Sequence, residues 1–128
     1  MKNSFAVAAG GAIGASLRAV IGTLMNGNSM STLVVNVVGS ILLGFFYEYV
    51  KSKKHLSDHS KKFIATGMLG SFTTFSTFSL DLFVYLREGA FFDAFVYGGA
   101  SIVLGILGVI LGVKSARKMK GDLTWNGS

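Results

Sequence analysis

The segment GSFTTFSTFSLD, residues 70–81, combines hydroxyl side chains with phenylalanines inside a long apolar stretch. Five hydroxyls fall within residues 73–79, and Phe72, Phe75 and Phe78 recur every third residue, which predicts that they share one helix face. Ring edges are electropositive, so rings that turn their edges to a path favour an anion and oppose a cation. Phenylalanines at this spacing are also typical of a protein core or a lipid contact, but the interleaved hydroxyls favour an anion path.

Two glycines, Gly67 and Gly70, precede the hydroxyls and predict a break in the helix near residues 70–74. A break frees backbone carbonyls, which are tolerated at membrane depth only where protein or water covers them. Freed carbonyl oxygens are hard ligands that suit a small cation. Asp81 either binds a proton or cation within the membrane or lies near enough to its surface to be solvated.

A second polar line consists of Thr32, Asn36, Ser40 and Gly44, which recur every four residues and share one helix face. One buried asparagine serves equally well as a hydrogen-bonding link between helices. A file of donors that starts at the membrane surface favours the wall of a hydrophilic path.

Three further polar residues lie inside apolar stretches. Arg18 either extends its guanidinium to the membrane surface or attracts anions. Tyr97 and Ser101 are candidate donors on the same path. Buried carboxylates are scarce, with Asp81 and Glu48 the candidates, and this pattern favours a small hydrated anion over a cation.

The elements that must position these residues are apolar helices. The chain has 128 residues, of which 51% are hydrophobic and 14% charged, with no proline or cysteine, and these values exclude an ordinary soluble protein. A spanning helix needs about 20 apolar residues, and four stretches qualify. They are residues 5–25, 32–50, 63–86 with the break near 70–74, and 91–113, followed by a basic cytoplasmic tail at 114–128. The sequence predicts a single all-α membrane domain of four transmembrane helices, and the glycines within the first stretch argue against a cleaved signal peptide.

The net charge of +6 is distributed unevenly. Basic residues cluster near the start, in the second link and in the tail: Lys2, Lys51, Lys53, Lys54, Lys61, Lys62, Lys114, Arg117, Lys118 and Lys120. Four spans place these three regions on one face and Arg87 on the other, which predicts cytoplasmic termini and contacts with membrane lipids, not with nucleic acid. His55 and His59, with Asp58 between them, are spaced for a metal, but a lysine-rich loop favours a solvated reading.

Small residues line the first and fourth stretches, at Gly10 and Gly14 and at Gly105, Gly108 and Gly112. This spacing favours close approach of another helix. Since four helices are few to enclose a channel, the stripes predict at least a dimer.

Three motifs, GGAIGASLR at 10–18, TLVVNVVGS at 32–40 and GMLGSFTTFSTFS at 67–79, resemble the Fluc (CrcB) family of bacterial fluoride channels. The resemblance covers the whole chain. It implies an antiparallel, dual-topology dimer with two narrow pores that exports fluoride passively across the bacterial inner membrane.

The resemblance also implies roles for individual residues. Phe75 and Phe78 form a phenylalanine box that fluoride passes, and Asn36 is the pore donor. Carbonyls of Gly70 and Thr73 from both subunits hold a structural sodium ion, and no organic cofactor is expected. The remaining positions along the pore wall, the polar track and the vestibule are Arg18, Thr32, Ser76, Thr77, Ser79, Tyr97 and Ser101.

The chain departs from the family pattern in three ways. Gly105 stands where a second hydroxyl is frequent, and Asp81 replaces the more usual glutamate. The one-sided charge predicts a single orientation, whereas dual topology requires nearly balanced faces. A homodimer and a heterodimer with an oppositely oriented paralogue both remain open.

Two other functions fit the composition. A small proton-coupled multidrug antiporter needs a deep carboxylate, for which Asp81 is the only candidate. A membrane scaffold would use the glycines for assembly alone. An enzyme is not expected, because the sequence shows no nucleophile–base pair or metal cluster.

Overall fold

The computed structural model describes residues 1–51, 53 and 55–125, with side chains described as far as residue 121. The predicted cytoplasmic positions of Lys54 and of tail residues 126–128 therefore lie outside the described residues. All elements in the described part are helical. They are α1 (Lys2–Leu24), α2 (Ser29–Lys51), α3 (Asp58–Lys61), a π-helix (Lys62–Leu69), α4 (Gly70–Phe72), α5 (Phe75–Arg87) and α6 (Phe91–Trp125).

Three helices are long and apolar enough to cross a membrane: Lys2–Leu24, Ser29–Lys51 and Phe91–Gly121. The predicted third stretch is instead divided, and its longest piece, α5, has 13 residues. That is shorter than the roughly 20 residues that cross a hydrocarbon core as one helix. The fold is that of a multi-pass helical membrane protein, and a fourth crossing by residues 62–87 stays a prediction.

The helical path is interrupted at two residues. Thr73 (φ −73°, ψ 154°) and Thr74 (φ −145°, ψ 120°) are extended, whereas Gly70 keeps helical dihedrals. The Thr73 amide still donates to the Leu69 carbonyl at 3.2 Å, so the helix persists past Gly70. The interruption is therefore narrower than the predicted residues 70–74.

The chain changes its packing partners at this interruption. The π-helix and α4 pack on α1, whereas α5 packs on α6 and α2. Because two extended residues reset the helix phase, Phe72 is 6% exposed against Gly39 while Phe75 is 80% exposed. The prediction that Phe72 shares a face with Phe75 and Phe78 is wrong.

Glycines of α1 allow backbone contact with the π-helix. A methyl group on Gly10 would overlap the Phe63 carbonyl oxygen, and one on Gly14 would overlap that of Met68. The predicted close approach is confirmed, but the partner is a helix of the same chain.

The α2–α6 pair packs in the same way. A methyl group on Gly112 would overlap the Ile41 carbonyl oxygen, and one on Gly44 would overlap that of Val109. Because these glycines pack against helices of the same chain, they do not by themselves indicate a dimer, and the dimer stays a prediction.

The predicted tail is a continuation of α6, which remains helical to Trp125. Ion pairs with Glu48, near the end of α2, hold this part of α6 in place. Arg117 Nε lies 3.3 Å from Glu48 Oε1, and Lys120 Nζ lies 3.9 Å from the same oxygen. The ends of α2 and α6 therefore meet, which brings basic residues of the second link and of the tail to one end of the molecule.

Candidate functional site

Asn36 bridges α2 to the interruption. Its Nδ2 donates to the Thr74 carbonyl at 3.0 Å, and its Oδ1 accepts from the Thr74 amide at 2.8 Å. Backbone groups away from water must find partners, so Asn36 Oδ1 replaces the helical partner that the Thr74 amide has lost, while Nδ2 adds a bond to the carbonyl of this N-cap residue. An amide nitrogen carries two hydrogens, which leaves a second donor on Asn36 for another acceptor.

A cavity of about 270 Å³ lies beside this bridge. Its lining combines the polar line of α2 with the phenylalanines of α5: Asn36, Ser40, Leu43, Thr73, Thr74, Phe75 and Phe78. The Phe75 and Phe78 ring centroids are 5.9 Å apart, with the ring planes tilted by 40°. The structure thus brings together the predicted pore donor and both rings of the predicted phenylalanine box, whose roles stay predictions.

A second, smaller cavity of about 140 Å³ also touches Thr74. It is lined by Arg18, Gly22, Gly27, Ser31, Thr32, Val35, Thr74 and Thr77. Arg18 Nη1 donates to the Thr73 carbonyl at 3.4 Å, so the guanidinium faces protein and hydroxyl groups. Arg18 therefore lies against protein, and its predicted role of attracting anions stays a prediction. Thr32 and Asn36, one turn apart on α2, reach different cavities.

Tyr97 continues the aromatic surface away from the first cavity. Its ring centroid lies 5.5 Å from that of Phe78 and 5.7 Å from that of Tyr85. The Tyr97 hydroxyl donates to Asp81 Oδ2 at 2.9 Å. The Tyr97 hydroxyl hydrogen is therefore bonded to a carboxylate and not free for an anion, and Asp81 has a hydrogen-bond partner within the same chain.

The other predicted hydroxyls bond locally. Ser79 donates to the Phe75 carbonyl at 2.9 Å and Ser101 to the Tyr97 carbonyl at 2.7 Å, so each must rotate before it can donate to an anion. Ser76 and Thr77 hydroxyls each lie 3.1 Å from Thr74 Oγ1. Ser76, Ser79, Tyr97 and Ser101 line neither cavity.

Thr74 is the central residue that the sequence reasoning left out of the site. It touches both cavities, bonds to Asn36 through its backbone, and caps α5 by accepting the Thr77 amide at 3.2 Å. Threonine at the first position before an apolar helical run is an N-cap signal, and that signal was available in the sequence.

The carbonyls of Gly70 and Thr73 suit a cation in their donor chemistry. In a continuous helix they would accept from the amides of Thr74 and Thr77, but those amides donate to the Asn36 and Thr74 side chains instead. The carbonyls accept only long bonds of 3.4 Å from the Thr73 hydroxyl and Arg18. Carbonyl oxygens in unwound helix are suited to Na⁺, although the guanidinium would have to move from the Thr73 oxygen.

Fold and site together define a multi-pass helical membrane protein with two polar cavities at a helix interruption. The chain belongs to the CrcB family: the family model described as CrcB-like protein, Camphor Resistance (CrcB), matches residues 5–113. The family resemblance inferred from the three motifs is thereby confirmed.

Relatives cover nearly the whole chain. A protein of Aquifex aeolicus (strain VF5) named fluoride-specific ion channel FluC is 41% identical over an alignment of 117 residues, and the alignment covers 84% of this chain and 94% of the relative. Proteins of the same name from Rhizobium meliloti (strain 1021) and Oceanobacillus iheyensis are 39% and 38% identical, covering 93% and 95% of this chain and 99% and 97% of the relatives. The family is one of ion channels, not enzymes.

Proposed function

We propose that this chain is a subunit of a fluoride-selective channel that lets fluoride leave the cell passively. The names of the relatives support fluoride as the ion. The observation that carries the proposal is the cavity in which the Asn36 amide meets Phe75 and Phe78 beside the helix interruption. It combines a neutral hydrogen-bond donor with aromatic rings, and the described residues of its lining include no carboxylate.

Residues of the two cavities replace the water around fluoride at successive points of the path. Arg18 attracts the anion to the smaller cavity, where Thr32 and Thr77 offer hydroxyls. In the larger cavity the ion contacts the second hydrogen of Asn36 Nδ2 and the electropositive edges of Phe75 and Phe78. Ser76, Ser79, Tyr97 and Ser101 extend this path after their hydroxyls rotate from their local bonds.

A second subunit is needed to close the path. The larger cavity opens on the surface of the single chain, and Phe75 beside it is 80% exposed. Hydrocarbon cannot satisfy Ser40, Thr73 and the Asn36 amide, so protein must cover them. An antiparallel dimer with two equivalent pores meets this need by a two-fold axis.

Residues 62–87 act as the fourth crossing, because an even number of spans returns the chain to the side where α2 and α6 end together. The Gly70 and Thr73 carbonyls of both subunits then hold a structural sodium ion, which neutralises the freed carbonyls at the dimer centre. Two oxygens from one chain are too few for such an ion, so this site also requires the partner.

We place the channel in the bacterial inner membrane with both termini cytoplasmic, in keeping with the basic end of the molecule. The partner is either a second copy in the opposite orientation or an oppositely oriented paralogue. The names of the relatives favour a channel over the antiporter and the scaffold.

Fluoride efflux from liposomes that contain only this polypeptide tests the proposal. We expect passive efflux that does not saturate and does not need a proton gradient. Efflux that saturates, follows a proton gradient and disappears in Asp81→Asn would support the antiporter. No ion flux from this chain alone, combined with flux after co-reconstitution of an oppositely oriented paralogue, would identify the heterodimer.

A further inference from the structure

A concave groove of about 440 Å³ lies where the end of α2 faces the start of the helical run at residues 58–72. Lysines from both sides line it: Lys51 at the end of α2 and Lys53 just after that helix, and Lys61 and Lys62 from the opposite wall. Asp58 is the one acidic residue in its lining, so the groove carries a net charge of three positive units.

The local ion pairs do not neutralise these lysines. Lys62 Nζ lies 3.8 Å from Asp58 Oδ2, but both side chains are well exposed, and Lys51 Nζ lies 3.3 Å from a Glu48 carboxylate that also holds Arg117. The exposed Lys62–Asp58 pair contributes little free energy, and the single Glu48 carboxylate is shared by Lys51, Arg117 and Lys120. An anion in the groove would therefore relieve repulsion among the four lysines.

Apart from Thr66, the remainder of the lining is largely apolar. Phe46, Tyr47, Val50 and Ala65 form this wall, and Tyr47 is 57% exposed. A tyrosine followed by lysines at the end of a spanning helix is typical of the headgroup layer. Inorganic phosphate makes no use of an apolar wall, whereas a phospholipid places its phosphate on the lysines and an acyl chain along Phe46 and Val50.

We infer that this groove binds one anionic phospholipid, with the phosphate among Lys51, Lys53, Lys61 and Lys62. The lipid bridges the end of α2 to the start of the helical run on the opposite wall of the groove. The groove lies at the basic end, so the lipid belongs to the leaflet that this end faces. The inference does not depend on which ion the channel conducts.

The test measures lipid retention by native mass spectrometry on full-length protein in neutral detergent, where no bilayer surface potential acts. The probes are phosphatidylglycerol and phosphatidylcholine with identical acyl chains. A double substitution, Lys53→Gln with Lys61→Gln, removes two groove charges, and Lys114→Gln with Lys118→Gln removes two exposed charges on α6 outside the groove. Lys53→Arg with Lys61→Arg keeps the charge.

We expect wild type, the α6 pair and the arginine pair to prefer phosphatidylglycerol, and the groove glutamine pair to lose about ten-fold or more in affinity for it, because each ammonium–phosphate hydrogen bond is charge-assisted. Equal loss in both glutamine pairs would overturn the inference, because the attraction would then follow total charge. Unchanged retention in the groove pair would overturn it as well. If soluble glycerol phosphate bound as tightly as phosphatidylglycerol, the acyl chain would have no role and a lipid site would be excluded.

Discussion

At the scale of single residues, Asn36 serves two purposes with one side chain. Its amide pairs with both polar groups of the Thr74 peptide, and it lines the cavity proposed for fluoride. Asn36 therefore both stabilises the helix interruption and supplies a donor to the proposed fluoride path. We expect its replacement to lower the stability of the protein.

We expect Asn36→Ala to destabilise the protein by about 1–3 kcal/mol, because it leaves the Thr74 amide without its partner. Thermal unfolding in detergent measures the effect. Ser40→Ala, one turn further along the same cavity, is the matched control and should change stability little. Equal melting temperatures for Asn36→Ala and wild type would show that the bridge does not hold the interruption.

The rings of Phe75 and Phe78 belong to the same scale. We expect Phe75→Ile and Phe78→Ile each to reduce fluoride efflux about ten-fold, because one favourable aromatic contact is worth about 1–1.5 kcal/mol. Phe72→Leu, on the buried side of the interruption, should leave efflux much less affected. Wild-type rates in both isoleucine variants would remove these rings from the path.

At the scale of elements, glycines decide how closely helices approach. A methyl group at Gly112 meets the backbone of α2, whereas one at Gly105 lies 3.8 Å from the Ser40 hydroxyl, an ordinary contact distance. The same substitution on the same helix therefore has opposite consequences seven residues apart.

We expect Gly112→Ala to cost about 1–3 kcal/mol, because backbone cannot yield as a flexible side chain does. Gly105→Ala should be neutral or slightly stabilising, since alanine favours helix by up to about 1 kcal/mol over glycine. Unfolding of the two variants in the same detergent measures the difference. A Gly105→Ala variant that proved the less stable of the two would contradict the packing of α6 on α2.

At the scale of the whole molecule, the basic groups of the second link and of the end of α6 lie together, with Glu48 between Lys51 and Arg117. Arg87, the last residue of α5, lies just before the start of α6, whereas the cluster lies towards the other end of that helix. Such asymmetry opposes insertion in both orientations.

We expect one orientation in the cell. The chain contains no cysteine, so Ser115→Cys and Glu88→Cys provide single labelling sites at opposite ends. A membrane-impermeant thiol reagent applied to the outer face should label the Glu88→Cys protein and spare the Ser115→Cys protein. Comparable labelling of both would demonstrate dual insertion and would favour the homodimer.

Properties that depend on local composition could be predicted from the sequence alone. Apolar length predicts the membrane helices, lysine placement predicts a basic end, and small residues at helical spacing predict close packing. Three short motifs identified the family. Each of these follows from residues near one another in the chain, where period and composition carry the physical signal.

The packing partner of each helix and the exact position of the interruption depend on contacts between residues distant in the sequence, and these became visible only in the structure. That Gly10 meets Phe63 of the same chain could not be read from spacing, because a glycine stripe accepts any helix backbone. Phe72 left the face of Phe75 because Asn36, 38 residues earlier, pairs with Thr74 and so stabilises two extended residues. A pattern of helical period assumes an unbroken helix, and only a contact distant in sequence shows where that assumption ends.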